Sequence, residues 1–431
     1  MLNMTENKFT NTLYTNDNLF ILNGLNSNLV DLIYLDPPFN TKRMYSAPIG
    51  SKAAGSSFKD MWTWQDVNEA YLETLAGKYP ALTDFIASIG AIHSGAMKAY
   101  LTYMAQRIIE IHRVLKDTGS LYLHCDPTAS HYLKIILDEI FGKNNFRNEI
   151  IWDYSFRLMD LKKFFNRKHD VILFYSKNDN NNFSMPKTDW TREELVASRK
   201  QKIHIDEYGE EWIWMPGGRG NSKNKMRRVA EIIQGGKAIS DVWQIPAISS
   251  SSKERTGYPT QKPLALLHRI IQASSNEGDI VFDPFCGCAT TCVAAQQLDR
   301  KWIGIDIEKK AVSILIERLS NDAGLFKDFV NTTLVPQRTD IQMIEPTKSV
   351  KERLYKEQNG VCKGCKIQFD IRNMEIDHII PKSKGGGSYY ENYQLLCGAC
   401  NKKKGDRPME YLQMRMNKEK ELLRDKIVFG K

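Results

Sequence analysis

The alternation of buried strands with amphipathic helices limits the fold of this chain more than any other feature. LVDLIYLD predicts a buried strand, MKAYLTYMAQRIIEIHRVLK an amphipathic helix, and GSLYLHC a second strand. A further helix pattern, TASHYLKIILDEIFG, ends on Gly142, and more strand patterns follow at HDVILFYSK, DIVFDPF and KWIGIDI. Alternation of this kind is typical of a doubly wound, mostly parallel sheet, so we predict an α/β fold.

Length and composition restrict the class of protein. The 431 residues are too many for one small core, and 42% apolar with 26% charged residues argues against a disordered or fibrous chain. The sequence has no uninterrupted apolar run of about 18 residues and no secretory signal pattern, so we expect a cytoplasmic protein without a membrane partner. The net charge of +9 favours a polyanionic partner.

Composition shifts along the chain predict its domain organisation. Residues 41–95 and 178–257 interrupt the alternation, and we interpret them as insertions on the edge of the sheet that carries binding residues. A linker containing two prolines then separates the α/β region from a cysteine-rich segment. The predicted units are a first domain at 1–335 with an insertion at about 150–257, a linker at 336–347, a small domain at 348–412 and a charged tail at 413–431.

DIVFDPFCGCATT, residues 279–291, has the strand, tight turn and helix start of a nucleotide-type cofactor site. Gly287 permits close approach of the backbone, and the helix that begins near Thr290 offers free amides. Asp306 closes the next strand, 23 residues after Asp283, where a carboxylate can bind ribose hydroxyls. A purely structural turn explains this motif alone equally well.

DLIYLDPPFN, residues 31–40, ends a buried strand on Asp36 and then stiffens the backbone. Pro37 and Pro38 fix φ near −65° and carry no amide hydrogen, so nearby carbonyl oxygens remain free as acceptors in a rigid frame. Asp36 and the Pro37 carbonyl can accept the two hydrogens of an exocyclic amine, and Phe39 can stack on its base for roughly 1–3 kcal/mol. A strand that ends in a proline-rich turn is the alternative.

Together these motifs resemble the β class of amino-methylating DNA methyltransferases. DPPFN, YPTQKP at residues 258–263 and DPFCGCATT follow the order of that class, and the similarity covers about residues 10–320. The resemblance implies a methyltransferase-type sheet, S-adenosyl-L-methionine as cofactor and double-stranded DNA as partner. It implies Asp36, Pro37, Pro38 and Phe39 as catalytic residues, and Asp17, Lys262, Pro263, Asp283, Phe285, Gly287 and Asp306 as cofactor contacts.

The same resemblance bears on the target atom. A motif that opens with aspartate favours adenine N6, whereas relatives acting on cytosine N4 more often begin with serine; cytosine C5 chemistry needs a Pro-Cys pair, which this sequence lacks. Ala289 stands where the class usually has a second glycine. If that position needs a positive φ, alanine costs on the order of 1 kcal/mol.

A base inside a duplex must be flipped out, at a cost of a few kcal/mol, so a further segment is needed to hold the DNA. We assign about residues 150–257 to target recognition, where GGRGNSKNKMRR at residues 217–228 carries Arg219, Lys223, Lys225, Arg227 and Arg228 and no acidic residue. A solvated basic loop is the alternative. The sequence discloses neither the bases that are read nor whether the chain works as a homodimer.

Two CxxC pairs mark the C-terminal segment: Cys362, Cys365, Cys397 and Cys400. Four thiolates in two such turns can close a tetrahedral, structural Zn²⁺ site. A zinc ribbon without catalytic activity is the simplest domain of this kind.

The residues between the pairs resemble the HNH nuclease family in its zinc-containing ββα-metal form. The resemblance implies His378 as general base, Asn392 as a brace of its loop, and Asp377 with Asn401 as ligands of a catalytic divalent ion such as Mg²⁺. The last residue of the motif is histidine in many members of the family and Asn401 here.

The leading hypothesis is an adenine-N6 DNA methyltransferase joined to an HNH endonuclease, a pairing that suggests restriction and modification in one chain. A second hypothesis keeps an adenine or cytosine-N4 methyltransferase and makes the C-terminal module a DNA-binding element. A third makes the whole chain a nucleic-acid binder without catalytic activity.

Overall fold

The computed structural model describes residues 11–40, 43–48, 51, 53–54, 57–60, 75–154, 160–215, 225–321 and 329–407, with 409, 411–413, 415–416 and 419 beyond them. In this part of the chain, no helix combines the length and the apolar character needed to cross a membrane. The strands are β1 (Thr12–Thr15), β2 (Val30–Leu35), β3 (Arg43–Ser46), β4 (Ser57–Asp60), β5 (Leu115–Cys125), β6 (Phe146–Asp153), β7 (His169–Ser176), β8 (Lys187–Thr188), β9 (His204–Ile205), β10 (Glu211–Met215), β11 (Lys225–Arg228), β12 (Lys237–Ala238), β13 (Val242–Gln244), β14 (Ile280–Asp283), β15 (Lys301–Asp306), β16 (Val330–Thr332), β17 (Met374–His378) and β18 (Tyr393–Cys397). The helices are α1 (Asn18–Gly24), α2 (Pro80–Ile92), α3 (Gly95–Val114), α4 (Ser130–Phe141), α5 (Arg192–Arg199), α6 (Val229–Gly235), α7 (Leu264–Ser274), α8 (Thr290–Gln297), α9 (Lys310–Asn321), α10 (Lys348–Glu357) and α11 (Gly398–Lys404).

Nine of the described strands form one central sheet, in the order β13-β6-β7-β5-β2-β14-β15-β1-β16. Neighbouring strands run parallel except where β7 pairs antiparallel with β5 and β6. The predicted doubly wound, mostly parallel sheet is therefore confirmed. One strand pattern, HDVILFYSK, forms the antiparallel member, a direction that its apolar pattern does not encode.

Helices cover both faces of this sheet, which explains why its central strand β2 is mostly apolar. Every residue of β2 is buried, as in parallel sheets with two covered faces. Ile33 and Leu35 face a core that contains residues of α1, α2, α3 and α4. Leu32 and Tyr34 face the opposite core, which contains residues of α7, α8 and α9.

The neighbouring strands β2 and β14 form the switch point of the sheet. The chain leaves β2 through α2 and α3 toward β5 on one side, and it leaves β14 through α8 toward β15 on the other side. Connections that diverge in this way leave a crevice at the carboxyl ends of the two strands, where α/β proteins bind their ligands. The DPPF segment follows β2 and the glycine turn follows β14, so both open into this crevice.

The C-terminal residues form a separate small core. β17 and β18 pair as an antiparallel hairpin, α11 follows directly, and α10 packs against the hairpin. Its buried apolar residues include Val350, Leu354, Met374 and Leu395. A hairpin followed by a helix is the ββα arrangement expected from the sequence.

The predicted linker lies against the first domain. The Thr339 amide donates to Asn26 Oδ1 at 2.8 Å, and the Ser27 amide donates to Asp340 Oδ2 at 2.9 Å. Arg338 binds the Asp340 carboxylate at 2.8 Å. The segment before the small domain is therefore held by hydrogen bonds to the loop that follows α1.

The small domain also contacts α1 directly, through the turn at residues 382–386. The Lys384 ammonium lies 4.4 Å from the centroid of the Phe20 ring, and Asn23 Nδ2 donates to the Lys384 carbonyl at 3.5 Å. Gly385 has φ of +88°, and a Cβ at this position would lie 2.4 Å from the Phe20 carbonyl oxygen. Glycine is therefore needed here both for its conformation and for the close approach of the two backbones.

The Gly385→Ala substitution is expected to weaken this contact. Alanine in a left-handed conformation costs about 1–2 kcal/mol, and the steric conflict with Phe20 adds to this cost. All eight tryptophans lie within residues 1–335, so their fluorescence reports the first domain alone. In urea or thermal unfolding, the circular dichroism signal should therefore begin to fall before the fluorescence changes, because the small domain unfolds first.

Gly278→Ala is the matched control. Gly278 has φ of +81°, but a Cβ added there would meet no heavy atom of the described residues within 4 Å. Equal losses of unfolding free energy in the two variants would show that the contact with α1 contributes nothing to stability.

Candidate active site and metal centre

A cavity of about 360 Å³ lies at the carboxyl ends of β1, β2, β14 and β15. Its size falls within the range of small-molecule sites. It brings together sequence-predicted residues from both motifs: Asp17, Asp36, Pro37, Pro38, Phe39, Lys262, Asp283, Phe285, Gly287 and Asp306. Pro263 is buried at the N-terminal cap position of α7 and is not among the lining residues.

The carboxylate of Asp36 is bound by Lys262. The Lys262 ammonium donates to Asp36 Oδ1 at 2.7 Å and to Oδ2 at 2.6 Å, and the two side chains are 17% (Asp36) and 8% (Lys262) exposed. The same ammonium lies 5.3 Å from the centroid of the Phe39 ring. The sequence predicted Lys262 as a cofactor contact, whereas its described partners are Asp36 and Phe39.

Phe39 rests on a buried polar array that the sequence analysis missed. The His124 imidazole stacks on its ring, with centroids 5.7 Å apart and an interplanar angle of 29°. His124 Nδ1 is 2.8 Å from the Tyr34 hydroxyl, and Nε2 is 3.0 Å from Asp170 Oδ2. Burial opposes ionisation of Asp170, but the hydrogen bond and charge of His124, together with the nearby Lys262 and His169, outweigh it and lower the pKa of Asp170. The available signal was a histidine in the otherwise apolar segment LYLHC and an aspartate at the start of β7.

The glycine turn is held by its own aspartate. The Phe285 amide donates to Asp283 Oδ1 at 3.0 Å, and the Thr291 hydroxyl donates to Oδ2 at 2.5 Å. Burial raises the pKa of Asp283 to about 7. Gly287 has φ of +52°, and a Cβ there would lie 3.0 Å from the Tyr258 ring, so glycine admits the YPTQKP segment to the cavity.

Ala289 adopts the left-handed conformation that the sequence analysis considered, with φ of +58° and ψ of +33°. It occupies the cap position at the start of α8 and is fully buried. An L-residue is strained in this conformation by roughly 1–2 kcal/mol, which the surrounding packing must offset.

Asp306 ends β15 and lies beside the turn. Its Oδ2 accepts a hydrogen bond from the Gly287 amide at 2.8 Å, and its Oδ1 accepts one from the Glu308 amide at 2.7 Å. Burial raises the pKa of Asp306 to about 6. Next to it, beyond the end of the paired strand β1, Asp17 caps α1 through the Leu19 amide and lies 3.3 Å from the Arg107 guanidinium.

Acidic side chains dominate the charge of the cavity wall. They are Asp17, Asp36, Asp60, Asp283, Asp306 and Glu308, against the single basic residue Lys262 among the described lining residues. Opposite charge favours binding most strongly where burial weakens solvent screening. The cavity is therefore suited to a ligand that carries positive charge, such as a sulfonium.

The predicted DNA-binding residues lie partly outside the described residues. Arg219 and Lys223 are among those not described, while Lys225, Arg227 and Arg228 are exposed on β11 of a small sheet with β10 and β9. Arg228 binds Glu210 at 2.9 Å and lies 5.3 Å from the Trp212 ring centroid.

The four C-terminal cysteines converge as predicted. The sulfur atoms of Cys362, Cys365, Cys397 and Cys400 all lie within 4.8 Å of one another. Tetrahedral Zn²⁺ with Zn–S bonds of about 2.3 Å requires sulfur atoms this close, so the donor set fits zinc. Cys397 ends β18 and Cys400 lies in α11, so the ion would tie the hairpin and the helix to the turn at residues 362–365.

Asn392 holds the loop that follows His378. Its Oδ1 accepts from the Ile380 amide at 2.8 Å, and its Nδ2 donates to the carbonyls of Ile380 at 2.9 Å and Gly387 at 3.0 Å. The His378 ring packs edge-on against Tyr393, with centroids 5.0 Å apart, and its Nε2 lies 3.4 Å from Ser388 Oγ. Burial and the nearby Lys382 lower the pKa of His378.

The two predicted ligands of the divalent ion have other partners in this structure. Asp377 Oδ1 binds the buried Lys404 ammonium at 3.1 Å, and its Oδ2 accepts from Gln394 at 2.8 Å. Asn401 donates to Glu375. Glu375 and Asp377 share one face of β17, and that face meets α11, so the oxygen donors do lie in one layer between strand and helix.

Comparison with known proteins identifies both domains. Residues 30–317 match the N6/N4 family model described as DNA methylase, and residues 362–407 match the model described as HNH endonuclease. Type II methyltransferase M.EcaI of Enterobacter cloacae is 29% identical over 367 residues, which cover 76% of this chain and 73% of the relative. DNA adenine methyltransferase YhdJ of Escherichia coli (strain K12) is 27% identical over 308 residues, 72% of this chain and 82% of the relative. The crystal structure of the M1.HpyAVI-SAM complex aligns with a TM-score of 0.38 and 19% identity, over 72% of this chain and 98% of the other.

Binding of S-adenosylmethionine is expected to weaken below pH 6. The sequence predicts Asp306 as the ribose contact; in that role it must be ionised to accept two hydroxyls, and its pKa of about 6 means that the free protein is protonated there at lower pH. Each pH unit below 6 should then raise the apparent Kd about tenfold, because binding must release one proton. Calorimetric titration between pH 5 and 8 measures this.

The control is Asp306→Asn, which should bind more weakly and with little dependence on pH between 5 and 6. A wild-type Kd that stays constant from pH 5 to 7 would contradict the assignment of Asp306.

Proposed function

Because this chain belongs to the N6/N4 DNA methylase family and continues into an HNH endonuclease domain, we propose that it methylates adenine N6 at a specific sequence in double-stranded DNA and cleaves DNA with the C-terminal domain. One observation supports the first activity most strongly. The acceptor pair at Asp36 and Pro37 lines the same cavity as the Gly287 turn, although the two motifs are about 250 residues apart in the sequence. An amine and a methyl donor can therefore meet there.

The chain holds and orients the amine. S-adenosylmethionine supplies an electrophilic methyl group on a cationic sulfur, and the acidic cavity wall attracts that charge. Asp36 and the Pro37 carbonyl accept the two amine hydrogens, which directs the nitrogen lone pair toward the methyl group. S-adenosylmethionine would supply the methyl group and leave as its thioether, and the Asp36 carboxylate would accept the amine proton that is released. Positioning the two reactants in this way removes much of the entropic barrier.

The target base is flipped and stacked on Phe39. The ring is held by His124, which is itself fixed between Tyr34 and Asp170. A platform held by buried hydrogen bonds loses little entropy when the base stacks. The opening aspartate of the motif favours adenine over cytosine, and the adenine specificity in the name of YhdJ supports the same choice.

Asp36→Ala is expected to reduce methyl transfer at least about a hundredfold, because the amine loses its charged acceptor. DNA treated with the enzyme is digested to nucleosides, and mass spectrometry then distinguishes N6-methyldeoxyadenosine from N4-methyldeoxycytidine. Asp126→Asn is the matched control, since Asp126 follows the neighbouring strand β5 but does not line the cavity.

An N4-methyldeoxycytidine product would replace the adenine proposal by its cytosine alternative. Undiminished methylation by Asp36→Ala would remove the basis of the methyl-transfer assignment.

The C-terminal domain supplies the second activity. We assign His378 as the base that takes a proton from the attacking water, and Asn392 as the brace of its loop. Asp377 and Asn401 would hold a divalent ion such as Mg²⁺, which would stabilise the charge developing on the phosphodiester. Asp377 now binds Lys404, and Asn401 now donates to Glu375. Metal binding would require these contacts to break or to be shared with the ion. The structural Zn²⁺ site at the four cysteines keeps the hairpin and α11 together.

His378→Ala is expected to lower Mg²⁺-dependent plasmid cleavage at least about a hundredfold while methyl transfer stays at the wild-type rate. Unmethylated plasmid and plasmid first methylated by the enzyme should both be assayed, since cleavage can depend on the methylation state. Absence of wild-type cleavage on every plasmid would favour the alternative in which this domain binds DNA.

The remaining assignments are part of the same proposal. Within residues 150–257, the segments outside the central-sheet strands β6, β7 and β13 read the target, with Lys225 and Arg227 exposed for phosphate contact, and the other domain limits are those stated from the sequence. The fusion of the two domains favours a restriction-modification role in the cytoplasm. A homodimer remains a hypothesis that analytical ultracentrifugation would decide.

A further inference from the structure

We infer that Lys262 restricts the target base to adenine or cytosine, by positioning Asp36 and by donating a hydrogen bond to the ring nitrogen beside the reacting amine. This inference rests on the proposed amino-methylation and goes beyond it by naming the residue that reads the target base. It also replaces the cofactor role that the sequence predicted for Lys262.

The ammonium of Lys262 is placed to fix the acceptor. It lies within 2.7 Å of both Asp36 oxygens, and the residue is 7% exposed. A lysine that contacts both oxygens holds the carboxylate in one orientation. Asp36 can still serve the substrate, because an ionised carboxylate offers about four lone-pair sites and the lysine uses two of them.

One donor of Lys262 is left for the substrate. An ammonium has three N–H groups, and within the described part of the chain its hydrogen-bond acceptors are the two oxygens of Asp36. The residue lines the cavity, and its nitrogen lies 5.3 Å from the centroid of the Phe39 ring. A base stacked on that ring, with its amine at Asp36, therefore has its neighbouring ring atom within reach of the same ammonium.

The resulting pattern of one acceptor beside one donor selects among the bases. Adenine presents the N6 amine beside the N1 acceptor, and cytosine presents the N4 amine beside the N3 acceptor. Guanine and thymine present the reverse order, a carbonyl oxygen beside an N–H donor. Asp36 and Lys262 thus match the Watson–Crick edge of adenine or cytosine and leave unpaired groups against the other two, which is the strongest form of discrimination.

The experiment replaces single atoms of the target base. The methylated sequence is first mapped by sequencing DNA modified by the full-length enzyme. Duplex oligonucleotides are then prepared with adenine, 1-deazaadenine or 7-deazaadenine at the target position. The first analogue lacks the proposed acceptor N1 but keeps the amine, while the second is the matched control with the same change on the far side of the base.

For the wild-type enzyme, 1-deazaadenine should lower kcat/KM about ten- to hundredfold relative to adenine, and 7-deazaadenine should change it much less. Loss of N1 makes the amine more nucleophilic and weakens pairing in the duplex, and both effects would raise the rate. A decrease therefore reports a lost contact. Because this comparison uses the unmutated protein, it does not depend on the folding of a variant.

Lys262→Met and Lys262→Arg complete the test. The methionine variant should be slow with adenine but show no additional loss with 1-deazaadenine, and the arginine variant should recover part of the sensitivity to N1. The affinity for S-adenosylmethionine, measured by calorimetry, should change less than about threefold in both variants.

Two outcomes would overturn the inference. The first is equal kcat/KM of the wild type on adenine and 1-deazaadenine. The second is a Lys262→Met variant whose defect is a raised Kd for S-adenosylmethionine with normal kcat at saturation, which would restore the cofactor role. If the wild-type enzyme methylates no adenine at all, the proposed function fails instead, so the two failures are distinguishable.

Discussion

The parallel register between β2 and β14 is the constraint on which the rest of this structure depends. Leu32 pairs with Val281 and Ile33 with Phe282, so the two strands end at the same level of the sheet. Asp36 follows β2, Asp283 is the last residue of β14, and both line one cavity. A slip of one residue would turn every side chain of β2 to the other face, and both apolar cores would then oppose it. The register that buries the core is thus also the register that assembles the site.

Burial gives the cavity its electrostatic character. Asp283 and Asp306 both have raised pKa values because little solvent reaches them, and each accepts backbone amide hydrogen bonds that partly offset this cost. Lys262 is the one basic residue among the described lining residues, and it is paired with Asp36. The rest of the wall keeps an excess of negative charge, which a cationic ligand would neutralise. Binding of a cationic ligand would therefore lower the electrostatic energy of the cavity.

The small domain depends on contacts and ligands that its size makes necessary. A domain of about 60 residues buries too little apolar surface to be strongly stable alone. Zinc at the four cysteines and the contact between Gly385 and α1 both compensate for this. Helix α1 is capped by Asp17 at the cavity, and its last residue, Gly24, approaches the backbone of Pro336 in the linker. The helix therefore contacts both the cavity of the first domain and the segment that leads to the small domain.

The sequence by itself determined the elements and the motifs. Apolar periodicity located the strands, two proline residues marked the rigid turn at Asp36, and cysteine spacing identified the metal centre, because each of these signals is local. The sequence indicated that Ala289 would be strained if its position needed a positive φ, but only the fold showed that it adopts one. The partners of Lys262, His124 and Asp377 were decided by the tertiary structure alone. Lys262 and Asp36 are 226 residues apart, His124 and Asp170 are 46 apart, and Asp377 and Lys404 are 27 apart. Which side chains meet over such separations is set by strand register and helix packing, and no local pattern of residues records either.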